Sequence, residues 1–351
     1  MTRGADVPTL LRQAREGSPR AVARLVSLVE DAAPALREIA AALAPHAGHA
    51  RVVGLTGAPG VGKSTTTSAL VRAFRARGLR VGVLAVDPSS PFTGGALLGD
   101  RIRMQDHTLD PDVFIRSMAT RGHLGGRAWA TPQAVRVLDG AGFDVVLVET
   151  VGVGQSEVEV AALADVTVVL LAPGMGDGVQ AAKAGILEVG DVFVVNKADR
   201  EGAQSAVRDL RHMISLGMPA GPRTPADPMP WRPPVVSTVA STGQGVDELL
   251  AALDEHERWA AGSGELRRRR VRRAEREIEA IAVTALRERI GDLRGGHLIG
   301  GLADQVVEGR TDPWTAADAL LADLAADRRD DRRDDERDDE RDAEPVPVRR
   351  A

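Results

Sequence analysis

The amino-acid sequence predicts an α/β protein, with a mainly parallel sheet covered by helices on both faces and helical extensions at each end. Two observations carry that prediction. Short apolar runs at Val52–Thr56, Val81–Val86, Val145–Glu149, Val166–Ala172, Val192–Asn196 and Val235–Val239 alternate with stretches of helical period. Continuous apolar runs of strand length are what a sheet buried on both faces requires. Every chemically distinctive motif also stands at the carboxyl end of one of these runs, where open α/β sheets place their ligands.

Taken in order, residues 1–50 read as a helical extension. Ser18-Pro19 is a cap followed by proline at the first helical position. Leu25, Val29, Ala32, Leu36, Ile39 and Leu43 follow at steps of three and four, which places them on one face. Pro34 interrupts this run, so a kink or a two-helix hairpin is expected. Residues 51–259 form the sheet domain. Beyond Gly264 the helical period returns with Val271, Ala274, Ile278, Ile281 and Ala285, and Pro313 opens a last helix ending near Ala326. That stripe suits packing against the body or against a second subunit equally well.

Residues 327–351 begin with a tract alternating aspartate with arginine, a low-complexity composition of poor helix formers that reads as disordered. Residues 327–342 hold ten acids and six arginines and so supply most of the formal net charge of −5. The remaining body is near neutral, and a nucleic-acid footprint is not expected. The basic cluster Arg267–Arg270, Arg272, Arg273 and Arg276 lies on a glutamate-rich helix and reads as a solvated face, a partner or polyanion contact being the alternative.

The 351 residues suffice for one large or two smaller domains, and the chain has no cysteine, hence no disulfide or thiolate chemistry. The first residues lack an apolar signal core and no apolar run is long enough for a bilayer; a cytoplasmic location and no membrane contact are expected. Of the 45 basic residues only three are lysines: Lys63, Lys183 and Lys197. A chain that has otherwise moved to arginine keeps lysine where a compact ammonium is needed.

Lys63 belongs to Gly57-Ala58-Pro59-Gly60-Val61-Gly62-Lys63-Ser64, between the run Val52–Thr56 and a helix expected from Ser64 to Arg77. Glycines let backbone N–H groups curl around a phosphate, and the helix N-terminus adds partial positive charge. Lys63 would reach the β- and γ-phosphates, Ser64 would bind Mg²⁺, and Thr65 follows in the same first turn. Asn196-Lys197-Ala198-Asp199 ends a later strand. Asp199 can accept from both the N1–H and the 2-amino group of guanine, whereas adenine offers neither. Asn196 would brace the loop and contact the base edge, and the Lys197 stem would lie along the ring. The segment Ser237-Thr238-Val239-Ala240-Ser241, after the last strand, would supply a backbone N–H to the guanine 6-oxygen, with Val239, Ala240 and Ser241 as its binding residues. Glu149 stands at a strand end where many GTPases carry aspartate and would hold Mg²⁺ through its hydration shell. Gly152 would donate to the γ-phosphate, and Asp87 is a second carboxylate facing the same cation.

These segments, together with Asp87-Pro88-Ser89-Ser90, residues 94–104 and Glu149-Thr150-Val151-Gly152-Val153-Gly154-Gln155, resemble the methylmalonyl-CoA mutase-associated GTPases, P-loop GTPases with glutamate in the third motif. The resemblance covers residues 8–326. It implies a homodimer built through residues 260–326 that hydrolyses GTP to GDP and docks on an adenosylcobalamin-dependent acyl-CoA mutase, with methylmalonyl-CoA mutase the first choice. There it would gate cofactor loading and protect the mutase. The resemblance places Asp87, Asp100 and Glu149 around Mg²⁺, and Arg103 and Lys183 in loops that respond to nucleotide and partner. No glutamine directly follows Gly152, so slow intrinsic hydrolysis is expected, with Lys183 the candidate transition-state cation and Gln155 a candidate for positioning. The alternatives are a nickel-delivery maturation GTPase, which usually carries cysteine or histidine-rich motifs, and an ATP-dependent kinase linked to amino-acid transport, against which the guanine motif argues.

Overall fold

The computed structural model describes residues 6–31, 35–88, 107, 109–120, 130–150, 156–174, 186–217, 229–295 and 298–322. Seven parallel strands form one sheet in the order β3-β2-β4-β1-β5-β6-β7. They are β1 (Arg51–Gly57), β2 (Val81–Pro88), β3 (Val113–Thr120), β4 (Val145–Thr150), β5 (Val166–Leu171), β6 (Val192–Asn196) and β7 (Val235–Thr238). Successive residues of one strand feed opposite faces, as the pleat requires. Val52 and Val146 pack with helices α1 (Val7–Arg15), α2 (Pro19–Glu30), α3 (Leu36–Leu43), α5 (Ala130–Gly140) and α6 (Ser156–Leu163). Val53 and Val145 pack with α4 (Lys63–Ala76) and α9 (Val246–Gly262). Past the short helix α7 (Ile186–Val189), a smaller cluster joins Val169 and Phe193 to α8 (Ala203–Gly217). The N-terminal helices thus share the core of the sheet.

Leu25 and Val29 lie on α2 and Ile39 and Leu43 on α3, all buried, so the apolar stripe is divided between two helices. Ser18 caps α2 by accepting from the Ala21 amide. Strand β3 is an element the apolar-run reading does not find. It lies at the sheet edge, where a strand need not be apolar throughout: Phe114 and Met118 are buried, while Arg116 bonds Ser27 and Glu30 of α2.

The arginine cluster also departs from expectation. Helix α10 (Glu265–Gly295) does not present all of it to solvent. Arg269 makes a two-pronged bond to Asp191 at 2.6 and 2.8 Å. Arg270 reaches Asp165 at 3.0 Å and the Ala50 carbonyl at 3.1 Å, and Arg273 donates to the Leu163 carbonyl at 2.6 Å. The reason is burial: Asp165 and Asp191 are nearly inaccessible at the starts of β5 and β6, and buried carboxylates need charged partners. Burial pushes the Asp191 carboxyl up, but polar contacts from His256 and Arg269 outweigh it and hold the group below its usual 3.8. Arg268 and Arg272 pair with Glu265 on the outer side.

The chain divides into two compact units, Met1–Glu277 and Ile278–Ala351. In the second, the rest of α10, α11 (Leu298–Val307) and a helix at 313–322 are described. Ile278, Ile281 and Leu286 there are exposed. No helix among the described residues is long and apolar enough to cross a membrane. The tail at 327–351 lies outside the described residues.

Candidate nucleotide site

Strand β1 runs between β4 and β5 and delivers the glycine-rich loop to the carboxyl end of the sheet. Gly57, Gly60 and Gly62 have φ of 143°, 78° and 98°. A Cβ on Gly57 would lie 2.3 Å from the Leu170 carbonyl oxygen, and one on Gly62 would lie 2.3 Å from Asn196 Nδ2. Neither position can carry a side chain without moving backbone or the Asn196 amide. Helix α4 starts at Lys63 with no side-chain cap, so its first-turn amides are available to an anion. Val61 anchors the loop in the core, while Pro59 and Thr65 are exposed.

Two lysines converge on this loop. Lys63 Nζ donates to the Gly57 and Ala58 carbonyls at 2.8 and 3.1 Å. From the neighbouring strand end, Lys197 Nζ donates to the Gly60 carbonyl at 2.6 Å. Lys197 has φ 58°, a left-handed conformation rare outside glycine, which turns the chain directly after β6. Asn196, 3% exposed, completes the join: its Nδ2 donates to the Val61 carbonyl at 2.8 Å, and its Oδ1 accepts from Thr238 Oγ1 and the Ala240 amide, each at 3.1 Å. Three groups, the Val61 carbonyl, the Thr238 hydroxyl and the Ala240 amide, are thus tied through one amide. Asp199 is exposed at the same edge. The Val239 amide is taken by the Gln244 carbonyl and the Ala240 amide by Asn196. Of the three expected donors, Ser241 N–H therefore remains open among the described residues.

Glu149, near the end of β4, turns its buried carboxylate onto α4. Ser64 Oγ donates to Oε1 at 2.7 Å, and Thr67 Oγ1 stands 2.9 Å from Oε2. A hydroxyl and a carboxylate held together at the start of the phosphate-loop helix make an oxygen donor set suited to a hard cation such as Mg²⁺. Asp87 lies on β2, opposite Ala119 of β3; its side chain is outside the described residues, as are Asp100, Arg103, Gly152, Gln155 and Lys183. Sequence reasoning missed Thr67, whose signal is its place three residues beyond Ser64, and it named Thr238 for its backbone alone, whereas the Thr238 hydroxyl is what orients Asn196.

The arrangement can hold a polyphosphate between lysine ammonium and helix amides, seat a hard cation beside it, and offer a carboxylate to a base. A family model for the methylmalonyl-CoA mutase-associated GTPase MeaB matches residues 22–293. A Pyrococcus abyssi protein named as a GTPase is 45% identical over 319 residues, 91% of this chain and 97% of that protein. The Mus musculus methylmalonic aciduria type A homolog, mitochondrial, is 40% identical over 218 residues, 62% of this chain and 52% of that protein. A solved structure titled LAO/AO transport system kinase superposes with a TM-score of 0.64 at 27% identity, covering 93% of this chain and 99% of the other. The chain is a P-loop GTPase and belongs to the methylmalonyl-CoA mutase-associated GTPase family, MeaB.

Proposed function

We propose that this GTPase binds Mg²⁺ with GTP or GDP at the carboxyl end of its sheet and acts on an adenosylcobalamin-dependent acyl-CoA mutase, methylmalonyl-CoA mutase being the first choice. In this role it gates cofactor loading and protects the mutase. The observation that carries the nucleotide part is the meeting of Lys63, Ser64 and Glu149 beneath uncapped helix amides, with Asn196 locking that loop to the base-side edge. Support for the mutase comes from the family's description and from the printed name of the mouse relative. Ser64 and Glu149, with Asp87 and Asp100, would hold Mg²⁺, which would neutralise charge on the β- and γ-phosphates. Gly57–Thr65 would wrap the phosphates, Asp199 would select guanine, and Ser241 would offer its amide to the 6-oxygen. Gly152 would donate to the γ-phosphate.

Hydrolysis is slow until the partner engages, with Lys183 supplying the transition-state cation, Arg103 responding to nucleotide and partner, and Gln155 helping to position. An added cation at the transition state is worth roughly three to five decades in rate. Lys183→Ala is the test: GTP binding and basal turnover stay normal, and stimulation by the mutase is lost. Normal stimulation in that variant removes Lys183 from the mechanism. Assembly is a homodimer through residues 260–326, and the exposed Ile278 and Ile281 are its first candidates. Sedimentation of Ile278→Asp/Ile281→Asp should give a monomer that still binds GTP; an intact dimer moves the interface elsewhere. The reading is of a protein outside membranes, without nucleic acid, in the cytoplasm. The kinase named in the structural relative's title supplies the rival reading, which requires ATP to bind as well as GTP.

A further inference from the structure

Glu149 meets α4 twice, and the second contact has no place in the nucleotide reading. Ser64 and Thr67 stand three residues apart and so share one face of the helix. Each takes a different oxygen of the same carboxylate, at 2.7 and 2.9 Å. Thr67 is fully buried. Its hydroxyl lies also 3.0 Å from the Lys63 carbonyl oxygen. A hydroxyl has a single proton and can donate to only one of these acceptors at a time. The carboxylate is the charged acceptor and makes the stronger bond. An aspartate would be shorter by one carbon–carbon bond, about 1.5 Å, and could not meet both hydroxyls from the same strand position.

From this we infer that Thr67 is a positioning residue for the cation site. By holding Glu149 Oε2 against α4 it keeps Oε1 turned toward Ser64, so the orientation of the carboxylate is set before a cation arrives. The glutamate and the threonine work as a pair, the longer acid being of use because the hydroxyl one turn further along the helix takes its outer oxygen. Groups that orient a metal ligand in this way typically carry 10- to 100-fold in metal affinity.

This inference rests on the Mg²⁺–nucleotide reading, and the test separates the two. The full-length protein is loaded with a fluorescent GDP, and the Mg²⁺ concentration giving half-maximal slowing of nucleotide release is measured. In Thr67→Val, which keeps the shape but loses the proton, that concentration should rise about tenfold. Thr67→Ser keeps the proton and should restore most of the parent's Mg²⁺ response. GDP affinity in EDTA should be unchanged in both. Thr67→Val placed on Glu149→Asp should add little, because the shorter acid no longer reaches the hydroxyl. Thr67→Ala replaces Thr67→Val if thermal melting shows the latter unfolded. An unchanged Mg²⁺ response in Thr67→Val, a serine variant as impaired as the valine one, or an equal loss of GDP affinity in EDTA would each overturn the inference while leaving the nucleotide reading standing. Release from the parent that ignores Mg²⁺ would overturn both.

Discussion

The two ends of the sheet use charge in opposite ways. At the amino end, Asp112, Asp144, Asp165 and Asp191 each stand directly before the first valine of β3, β4, β5 or β6. Asp112 receives Arg75 at 2.8 Å, Asp165 receives Arg270 at 3.0 Å, Asp191 receives Arg269, and Asp144 takes the Arg80 amide at 2.7 Å. Arg51, opening β1, joins Asp254 and Glu257, both at 3.0 Å. At the carboxyl end the cations on the phosphate loop are lysines, and the bonds described for Lys63 and Lys197 there include three to backbone carbonyls. The planar guanidinium fork suits a permanent bond to a buried carboxylate. A lysine is a compact point charge with three rotatable donors, so it can turn from a backbone carbonyl to an arriving anion. The arginine end carries fixed pairs with buried acids, and the expectation for the lysine end is an exchange of partners.

Cutting the arginine end should therefore cost stability and spare chemistry. Asp191→Ala leaves Arg269 and His256 facing a void, and removal of one partner from a buried pair costs about 3–5 kcal/mol. Urea unfolding should show that loss, with GTP affinity of the folded protein unchanged. A matching fall in affinity would mean that the two ends are coupled. Truncation refines the point: ending the chain after Glu277 keeps Arg269, Arg270 and Arg273, whereas ending it after Trp259 strips all three from Asp165 and Asp191. The longer fragment should stay folded and bind GTP, and the shorter should melt earlier.

At the lysine end the reverse is expected. Lys63→Arg should fail to replace lysine and should weaken GTP binding by about 100-fold, the scale of a lost bond to a charged group, with the melting temperature little changed. Near-normal binding by the arginine variant would remove the contrast on which the comparison rests.

A smaller effect lies in the acid limb. Asp191 titrates below 3.8 in the folded protein. Its contribution is complete above the unfolded value and is lost as pH falls through the folded one, because the unfolded chain then binds the proton more readily. Stability measured downward from pH 5 should fall less steeply in Asp191→Asn than in the parent; parallel curves would show that Asp191 adds nothing to acid sensitivity.

The same contrast governs what could be read beforehand. The carboxyl end was legible because its chemistry is local: Gly57 to Ser64 and Asn196 to Asp199 are short motifs with fixed spacing, and six of the seven strands are apolar runs. The amino end was not, because Arg269 and Arg270 find their acids 78 and 105 residues away. From the helix alone those arginines have only Glu265 and its neighbours as partners. Strand β3 was hidden by Arg116 and Ser117, polar residues that an edge strand tolerates. Thr67 was hidden by its ordinary helical position, and only the reach of Glu149 across from β4 gives it a role.

The lysine end is expected to take a guanine nucleotide. Calorimetry of GTP, ATP and XTP with Mg²⁺ on the parent and on Asp199→Asn tests it most directly. The parent should bind GTP far more tightly than ATP, since a site built to pair with two donors rejects a base lacking them by roughly four to five decades. Asp199→Asn should lose GTP and accept XTP, whose 2-position carries an acceptor. Equal binding of GTP and ATP by the parent, or an Asp199→Asn variant that still prefers GTP, would contradict the account.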